Sequence, residues 1–484
     1  MINNSEPIAL HFRTKNQKIC DLFPFLILGL IPGIGYFAPI LLSIFGCFFL
    51  NRPNLCGNKL FVALIIQYLI FNIFLILVFR VSPSFTEDYF DTKMQMYFGF
   101  TLLLFPILSA FRQSNATSLQ VYQALSIGLL IAATGHLIVF SAPPNMLNKF
   151  LEIPDTLFAN TCRPTIWRWN PLVPPTLLGA LLVLSISLRS QLLTKKYILF
   201  TATFSAVWLS VITVHAGRMS IYALGLTLLL FITYQFYTKK IAQMIILSLI
   251  LLLTLTAGIS MDRCGVFRKM NDSIETLNYI FSERPEIHQL DTLSAENFVG
   301  TQTPKYIYNY DSSDVIQINL ISHSFNFHMD QKAATRVDFV ELLNLRSANE
   351  IRSQGVPSSE ADRWSMWLSG IAAVAKRPIL GYGPDREKEV INIGAQTHHP
   401  HVHNQYLSWL VQGGFIGFLS GLIFLTSPIF ALKKIRLNNV SVWGLAPLAL
   451  NNITDTQLFT PQVLGCYLTI LCALYAIDKK GAHD

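Results

Sequence analysis

The sequence predicts an all-α protein that crosses a membrane many times, and three observations support that prediction. First, 52% of the 484 residues are hydrophobic and only 13% are charged, whereas a typical soluble domain is about 25% charged. Second, apolar runs of about 20 residues, the length that spans hydrocarbon as a helix, recur along the whole chain. Third, Lys and Arg are concentrated in the short connections between those runs, as in polytopic membrane proteins.

The apolar runs define the predicted spans. The shortest run is accepted because the flanking charges require a crossing there. The runs cover residues 22–50, 60–79, 94–111, 121–142, 172–188, 197–214, 219–237, 241–259, 404–432, 440–452 and 458–477.

The basic clusters predict the orientation, because short cytoplasmic loops carry an excess of Lys and Arg. These clusters lie at 13–18, 189–196, 239–240, 433–436 and 479–480. Placing all of them in the cytoplasm requires an even number of crossings within residues 22–50. Pro32, Gly33 and Gly35 at the centre of that run predict two short helices in a hairpin. The chain would then have about twelve spans with both termini inside.

This layout divides the chain into three segments. Residues 1–259 are predicted to form an N-terminal membrane domain of about nine spans, and residues 404–484 the C-terminal spans. Residues 260–403 are the one large hydrophilic block, which we expect to form a large, mostly helical external loop. Within it, residues 363–376 have two tryptophans at helical spacing and are predicted to form an amphipathic helix along the membrane interface.

Charge and composition narrow the classes of function. A net charge of +8 would suggest nucleic acid in a soluble protein, but here the basic residues lie between apolar runs, where they meet anionic lipid. The predicted spans before residue 425 are almost free of ionisable residues, with His136 as the exception. Ion-coupled carriers usually keep such residues at mid-membrane, so we expect the chemistry at the external boundary of the membrane.

Two arginines are candidates for binding at that boundary. Arg218 lies in a very short external turn, where it would either extend to lipid headgroups or bind a lipid diphosphate with its planar guanidinium. Arg363 lies at the start of the amphipathic stretch, where a structural salt bridge with Asp362 or Glu360 is the alternative to binding.

Two further clusters contain candidate residues. His398, His399, His401 and His403 precede a long apolar run without a zinc-like spacing, so a metal site is disfavoured. A histidine there would instead suit a general base, unless the loop is simply solvated. A second cluster, 163–169, alternates basic and aromatic residues: Arg163 and Arg168 would anchor the interface or contact sugar or phosphate.

Together these features resemble the O-antigen ligase and polymerase superfamily. The segment 376–384 resembles that family's RPxxGxG motif, His401-Val402-His403-Asn404 its HxHN motif, and 413–417 its glycine-containing span entry. Arg218 and Arg363 match the family's two arginine positions.

The resemblance implies a metal-independent, inverting glycosyltransferase without a cofactor, at the periplasmic face of a bacterial inner membrane. Arg218 and Arg363 would bind the diphosphate of an undecaprenyl diphosphate-linked glycan donor. His403 would be the catalytic base, with His401 and Asn404 orienting it and Arg163 and Arg168 in support. Membrane lipids are expected partners, and nucleic acid is not.

The acceptor is left open by the sequence. A ligase transfers the glycan to lipid A-core, a polymerase transfers it to a second lipid-linked glycan, and protein oligosaccharyltransferases share the superfamily. The HxHN element and the single large loop favour the ligase. The alternative of another class is a non-enzymatic carrier of lipid-linked glycans. Cys162 and Cys264, both expected outside, could form a disulfide in an oxidising compartment.

Overall fold

The computed structural model describes eleven continuous stretches of the chain, some short pieces between residues 240 and 327, and Glu387. The continuous stretches are residues 15–35, 37–48, 59–79, 87–141, 173–192, 197–215, 218–238, 358–384, 401–432, 439–453 and 461–481. Arg163, Arg168, Cys162 and Cys264 lie outside the described residues, so the predictions made for them stay predictions.

The fold is predominantly helical, as predicted. The first half contains α1 (Lys15–Ile34), α2 (Phe37–Cys47), α3 (Lys59–Phe79), α4 (Glu87–Gln113), α5 (Ser118–Ser141), α6 (Val173–Leu192), α7 (Tyr197–Leu209) with a π-helical turn (Ser210–His215), and α8 (Arg218–Tyr237). The second half contains α9 (Ser358–Lys376), α10 (Gln405–Phe430), α11 (Val440–Asn451) and α12 (Pro461–Gly481).

A small antiparallel sheet lies between the two helical halves of the sequence. Its strands are β1 (Ile307–Asn309), β2 (Ile316–Leu320) and β3 (His323–Phe327), in the order β1-β2-β3. Residue 318 pairs with residues 308 and 325. The sequence predicted a mostly helical loop here, and the strands are an element that its pattern did not indicate.

Six described helices are long and apolar enough to cross a membrane: Lys59–Phe79, Lys93–Gln113, Ser118–Ile138, Val173–Ser190, Ser220–Tyr237 and Gln405–Phe430. Shorter apolar helices cover Ile19–Ile34, Phe37–Cys47, Ile198–Ile212 and Val440–Asn451. The chain is therefore a multi-pass helical membrane protein, and the total of twelve crossings stays a prediction.

The first apolar run is divided into two helices, as its proline and glycines predicted. The backbone turns at Gly35, whose φ of 61° suits glycine. Helix α1 then packs closely on α5, where Gly29 and Gly128 leave room for backbone contact. In the same interface, the His136 ring nitrogen Nε2 lies 3.0 Å from the Pro32 carbonyl oxygen. His136, the one ionisable residue predicted within the spans before residue 425, therefore has a structural role.

One end of the helical bundle collects basic side chains, and we call it the basic end. The Lys240 ammonium donates to the Ser190 carbonyl at 3.0 Å, and Arg189 lies over the Phe200 ring. The Asp478 carboxylate accepts from the first backbone amides of α11, those of Val440 and Ser441. Contacts between α8 and α11 near these positions, such as Tyr234 with Trp443, place them at the same end. The predicted orientation, with all basic clusters in the cytoplasm, requires these residues to lie at one end of the bundle.

Helix α10 is a folded pair of helical legs, where the sequence predicted one continuous span. At Gly414 the backbone has φ 60° and ψ −157°, a conformation outside the helix. Residues 405–413 form the first leg and residues 415–430 the second leg. The Trp409 ring packs directly over Gly421, and the rings of Tyr406 and Phe418 lie 6.4 Å apart. In a straight helix, residues twelve apart would be separated by about 18 Å, so the legs must run back along each other.

Candidate active site

The turn between the two legs is held by the segment 377–384, which we call the glycine clamp. The amides of Tyr382 and Gly383 donate to the carbonyls of Val411 and Gln412, both at 2.8 Å. In return, the amide of Phe415 donates to the Pro378 carbonyl at 2.6 Å. A chain reversal inside apolar surroundings leaves backbone groups without helical partners, which is costly. The clamp supplies those partners.

The spacing of glycines in the clamp follows from this close approach. A Cβ at Gly381 would overlap the Val411 carbonyl, and one at Gly414 would overlap the backbone of Ile379. Both glycines also have positive φ values, 63° and 60°. The sequence showed the RPxxGxG segment and the glycines of the span entry as separate motifs. In the structure they pack against each other.

Tyr382 also makes a contact within the clamp, with Arg377. The Arg377 guanidinium carbon lies 4.8 Å from the centre of the Tyr382 ring, a cation–π contact. Burial raises the pKa of the Tyr382 phenol above its usual value of 10.0, and the Arg377 charge partly opposes that shift. The phenol is therefore neutral at physiological pH.

Contacts with α3 show how deep each part of this assembly lies. Along α3, Phe79 lies against Gly383 of the clamp, Phe71 against Gly413, and the Tyr68 ring 6.2 Å from the Trp409 ring. The first leg therefore runs parallel to α3, toward its Phe79 end. Residues 401–404, which we call the histidine loop, precede this leg and lie deeper than the clamp.

The depth of the histidine loop can be estimated from α11. The amide of Gln405, directly after the loop, donates to the carbonyl of Asn452 at 2.8 Å. Asn452 caps α11, whose 12 residues begin at the basic end. Twelve helical residues extend about 18 Å, whereas the hydrocarbon of a bilayer is about 30 Å thick. The histidine loop therefore lies well below the outer end of the helical bundle, at a depth within the expected thickness of the hydrocarbon.

The loop itself has a constrained conformation. His403 has a φ of 51°, the only positive value among the described residues other than glycine. Such a conformation is uncommon outside glycine, and functional sites are enriched in it. The His401 and His403 rings meet edge to face with centroids 4.2 Å apart. Asn404 ends the loop as the N-cap of α10, its side-chain oxygen accepting from the Leu407 amide at 3.0 Å.

A carboxylate that the sequence did not indicate holds the loop against the first leg. Glu387 is 2% exposed. One of its oxygens accepts from the Val402 amide, between the two histidines, at 2.7 Å. The other accepts from the Ser408 hydroxyl at 2.6 Å and from the Gln412 amide nitrogen at 2.5 Å. The sequence placed no carboxylate near the histidines, because fifteen residues separate Glu387 from Val402.

Helix α9 brings Arg363 toward the same loop. Gly370 of α9 packs against Val402 and Leu407, and Met366 belongs to the same buried cluster. Arg363 lies two helical turns before Gly370 on the same helix. Arg363 is half-buried there, one helical turn before Met366. Residues 363–376 are thus part of a helix that packs on the first leg, and its position along the membrane interface stays a prediction.

Helix α8 begins at Arg218, after the π-helical turn. π-helical turns are found frequently at functional sites. Two residues later, the Ser220 hydroxyl donates to the Asn451 side chain at 3.1 Å. Asn451 is next to Asn452, which bonds to Gln405. The backbone of Arg218 is thus linked to the histidine loop through a short series of buried polar residues. The Arg218 side chain lies outside the described part of the structure.

The structure therefore brings four of the predicted site residues, His401, His403, Asn404 and Arg363, onto two adjoining elements, with the helix of Arg218 close by. The described residues include no cluster of three His, Cys, Asp or Glu side chains that could hold a metal. Glu387, Ser408 and Gln412 were missed. The only sequence signal for Glu387 was its place shortly after the glycine clamp.

The fold and the site define a class: a multi-pass helical membrane protein with a histidine-bearing loop between apolar helices. Within this class, residues 204–422 match the family model described as O-antigen ligase. This match covers just under half of the chain and supports the resemblance to the O-antigen ligase superfamily noted in the sequence. That family covers O-antigen ligases and polymerases, which are membrane glycosyltransferase-like enzymes. The matched range includes α8, α9, the clamp and the histidine loop.

A curated relative gives a weaker likeness. A protein of Haemophilus influenzae (strain ATCC 51907 / DSM 11121 / KW20 / Rd), named there only as an uncharacterized protein, is 26% identical over 137 residues. The aligned region covers 25% of this chain and 31% of that protein. Less than a third of the relative's length is thus matched, and its name supplies no activity.

Proposed function

We propose that this protein is a glycosyltransferase that moves a glycan from undecaprenyl diphosphate onto lipid A-core at the periplasmic face of the bacterial inner membrane. The observation that carries this proposal is the histidine loop, packed against the helix of Arg363 and linked to the start of the helix of Arg218. A lipid-linked donor can reach a site at this depth from the side, because its polyprenyl chain stays among the acyl chains. The family match supports the general class of substrate, a lipid-linked glycan.

In this reaction His403 accepts the proton of the acceptor sugar hydroxyl. The acceptor oxygen forms a new bond to the anomeric carbon of the donor glycan as the bond from that carbon to the diphosphate oxygen breaks. The electron pair leaves with undecaprenyl diphosphate. A single displacement of this kind inverts the configuration at the anomeric carbon. General-base catalysis of this type typically contributes a factor of about 10² to 10⁴ in rate.

Arg218 and Arg363 bind the diphosphate and stabilise the charge that develops on it as it leaves. The planar guanidinium suits phosphate oxygens because it donates two parallel hydrogen bonds. Two such groups neutralise a diphosphate without a divalent cation, so the proposed reaction is independent of metal. His401 and Asn404 orient His403, through the edge-to-face ring contact and the cap of α10.

A polymerase that joins lipid-linked repeat units is the second candidate. It would use the same donor, base and arginines, and would differ only in the acceptor that reaches His403. The family match fits both enzymes equally, so the acceptor has to be determined by experiment.

The experiment uses the purified full-length protein in liposomes with an undecaprenyl diphosphate-linked glycan as donor. Lipid A-core and a second lipid-linked repeat are offered as separate acceptors, in the presence of EDTA, to the wild type and to His403→Ala. Transfer to lipid A-core that survives EDTA and is lost in His403→Ala is the expected result. Transfer only to the second repeat would make the protein a polymerase with the same mechanism.

Two results would overturn the proposal. Loss of transfer with EDTA, restored by a divalent cation, would contradict the metal-independent mechanism. A folded wild-type protein that binds undecaprenyl diphosphate and transfers the glycan to neither acceptor would favour another acceptor, such as a protein, or a non-enzymatic carrier.

A further inference from the structure

Glu387 is a buried carboxylate whose described hydrogen bonds lead to the histidine loop and to the first leg of α10. It is 2% exposed and accepts from three donors, on Val402, Ser408 and Gln412, at 2.5 to 2.7 Å. Burying a carboxylate is costly unless several donors compensate it. A residue used only to fill space there would not need to be charged.

The three donors belong to two elements whose relative position decides where the His403 ring lies. Val402 is the residue between His401 and His403. Ser408 and Gln412 are one helical turn apart on the first leg, and the Gln412 side chain also donates to the Ser408 hydroxyl at 3.2 Å. One oxygen of Glu387 therefore holds the loop and the other holds the leg. The carboxylate fixes the angle between them.

We propose that Glu387 is a positioning residue for the transfer reaction, which holds the His401–His403 backbone in its reactive conformation through the Val402 amide. This inference rests on the proposed transferase function. In this proposal Glu387 acts through the loop and the leg, where its described donors lie, while the two arginines bind the diphosphate. A displacement of a catalytic group by about 1 Å can cost about 10²-fold in rate, so removing this brace affects turnover more than binding.

Asp478 provides a matched control. It too is a carboxylate that accepts from two donors, the amides of Val440 and Ser441 at 2.7 and 2.8 Å. It braces the start of α11 at the basic end, away from the histidine loop. Replacing it removes a comparable structural contact without touching the loop.

The first measurement compares Glu387→Ala, Glu387→Gln and Asp478→Ala with the wild type in the liposome assay. The readouts are kcat, KM for the lipid-linked glycan, the Kd of undecaprenyl diphosphate and the Tm. For Glu387→Ala we expect kcat to fall about 10- to 100-fold, as for other residues that orient a catalytic group, with the Kd within about twofold of wild type. Asp478→Ala should lower the Tm with kcat within about twofold of wild type.

The second measurement is the double variant Glu387→Ala/His403→Ala in single turnover. If Glu387 acts through His403, its loss should change little once the base is gone, because the effects of residues that act as a unit are not additive. A purely structural role would lower the rate by the same factor in both backgrounds. Asp478→Ala should be additive with His403→Ala.

The third measurement reverses the hydrogen bond between Glu387 and Gln412. Gln412→Glu alone places two carboxylates together and should lower kcat, as should Glu387→Gln. The double variant Glu387→Gln/Gln412→Glu restores one carboxylate and one amide at the same place. We expect it to recover at least half of the kcat lost in Gln412→Glu. This pair keeps the test available if Glu387→Ala does not fold.

The outcomes separate the two proposals. If the wild type transfers the glycan but Glu387→Ala has wild-type kcat, or if its effect is additive with that of His403→Ala, the positioning role is wrong and the transferase stands. If the wild type transfers to no acceptor, the proposed function fails, and the role of Glu387 fails with it.

Discussion

The Trp409 ring lies directly over Gly421, although both residues belong to one continuous apolar stretch of the sequence. This contact exists because α10 reverses at Gly414. The reversal places the histidine loop and the glycine clamp at opposite ends of the first leg, with the loop at the deeper end. The geometry of the candidate active site therefore depends on a turn that is made within the helical bundle.

Replacing Gly414 with alanine should disrupt this turn. Its φ of 60° and ψ of −157° belong to a region that only glycine adopts readily, at a cost of about 1–3 kcal/mol for other residues. The added Cβ would also overlap Ile379. We expect a lower Tm in detergent and loss of transfer. Gly225→Ala, where a Cβ meets nothing within 4 Å, is the control. Wild-type Tm and activity in Gly414→Ala would contradict the folded-back geometry.

His403→Ala should remove transfer while leaving donor binding intact. If His403 is the base, the rate of a single turnover should fall about 10²- to 10⁴-fold, and the Kd of undecaprenyl diphosphate should change little. His401→Ala should have a smaller effect, because in the proposed mechanism that ring supports the His403 ring, 4.2 Å away between centroids. A larger loss in His401→Ala than in His403→Ala would exchange their roles.

Arg363→Lys should weaken binding of undecaprenyl diphosphate about tenfold or more. An ammonium keeps the charge but loses the paired hydrogen bonds of the guanidinium, and a hydrogen bond to a charged group contributes about 1.5–3 kcal/mol. Arg189→Lys is the matched control, since Arg189 lies over Phe200 at the basic end. Equal affinities in both variants, measured by binding of undecaprenyl diphosphate in liposomes, would remove Arg363 from the diphosphate site.

Asn404→Ala should destabilise the start of α10 and lower turnover together. Loss of an N-cap side chain typically costs about 0.5–2 kcal/mol, and here the cap directly follows His403. Asn404→Ser keeps an oxygen that can accept from the Leu407 amide, so it should recover part of both the Tm and kcat. If serine restored the Tm but none of the activity, Asn404 would contact the substrate itself.

The sequence predicted the helical membrane fold, the break near Gly35 and the family. Helix breakers and long apolar runs act locally, so their effects can be read without knowing the partners. The fold of α10 could not be predicted in this way. Gly413 and Gly414 lie within an apolar run that is long enough to cross once, and only the clamp from residues 377–384 makes a reversal there favourable.

The candidate site was predicted in part for a similar reason. The histidines and Arg363 were evident because polar residues are unusual beside apolar runs. Glu387 was not, because a glutamate in a hydrophilic loop is normally solvated. Its burial depends on donors from Val402, Ser408 and Gln412, which only the tertiary fold brings together. The roles of these residues stay predictions until the variants are measured.

The depth of the histidine loop also bears on hydrolysis of the donor. A base that can activate a sugar hydroxyl can also activate water, and hydrolysis would release the glycan without joining it to anything. Val402 is fully buried beside apolar helices, whereas His401 and His403 are partly exposed. If His403 is the base, a donor bound without its acceptor is exposed to this side reaction, and the rate of glycan release in the absence of acceptor measures how well the site excludes water.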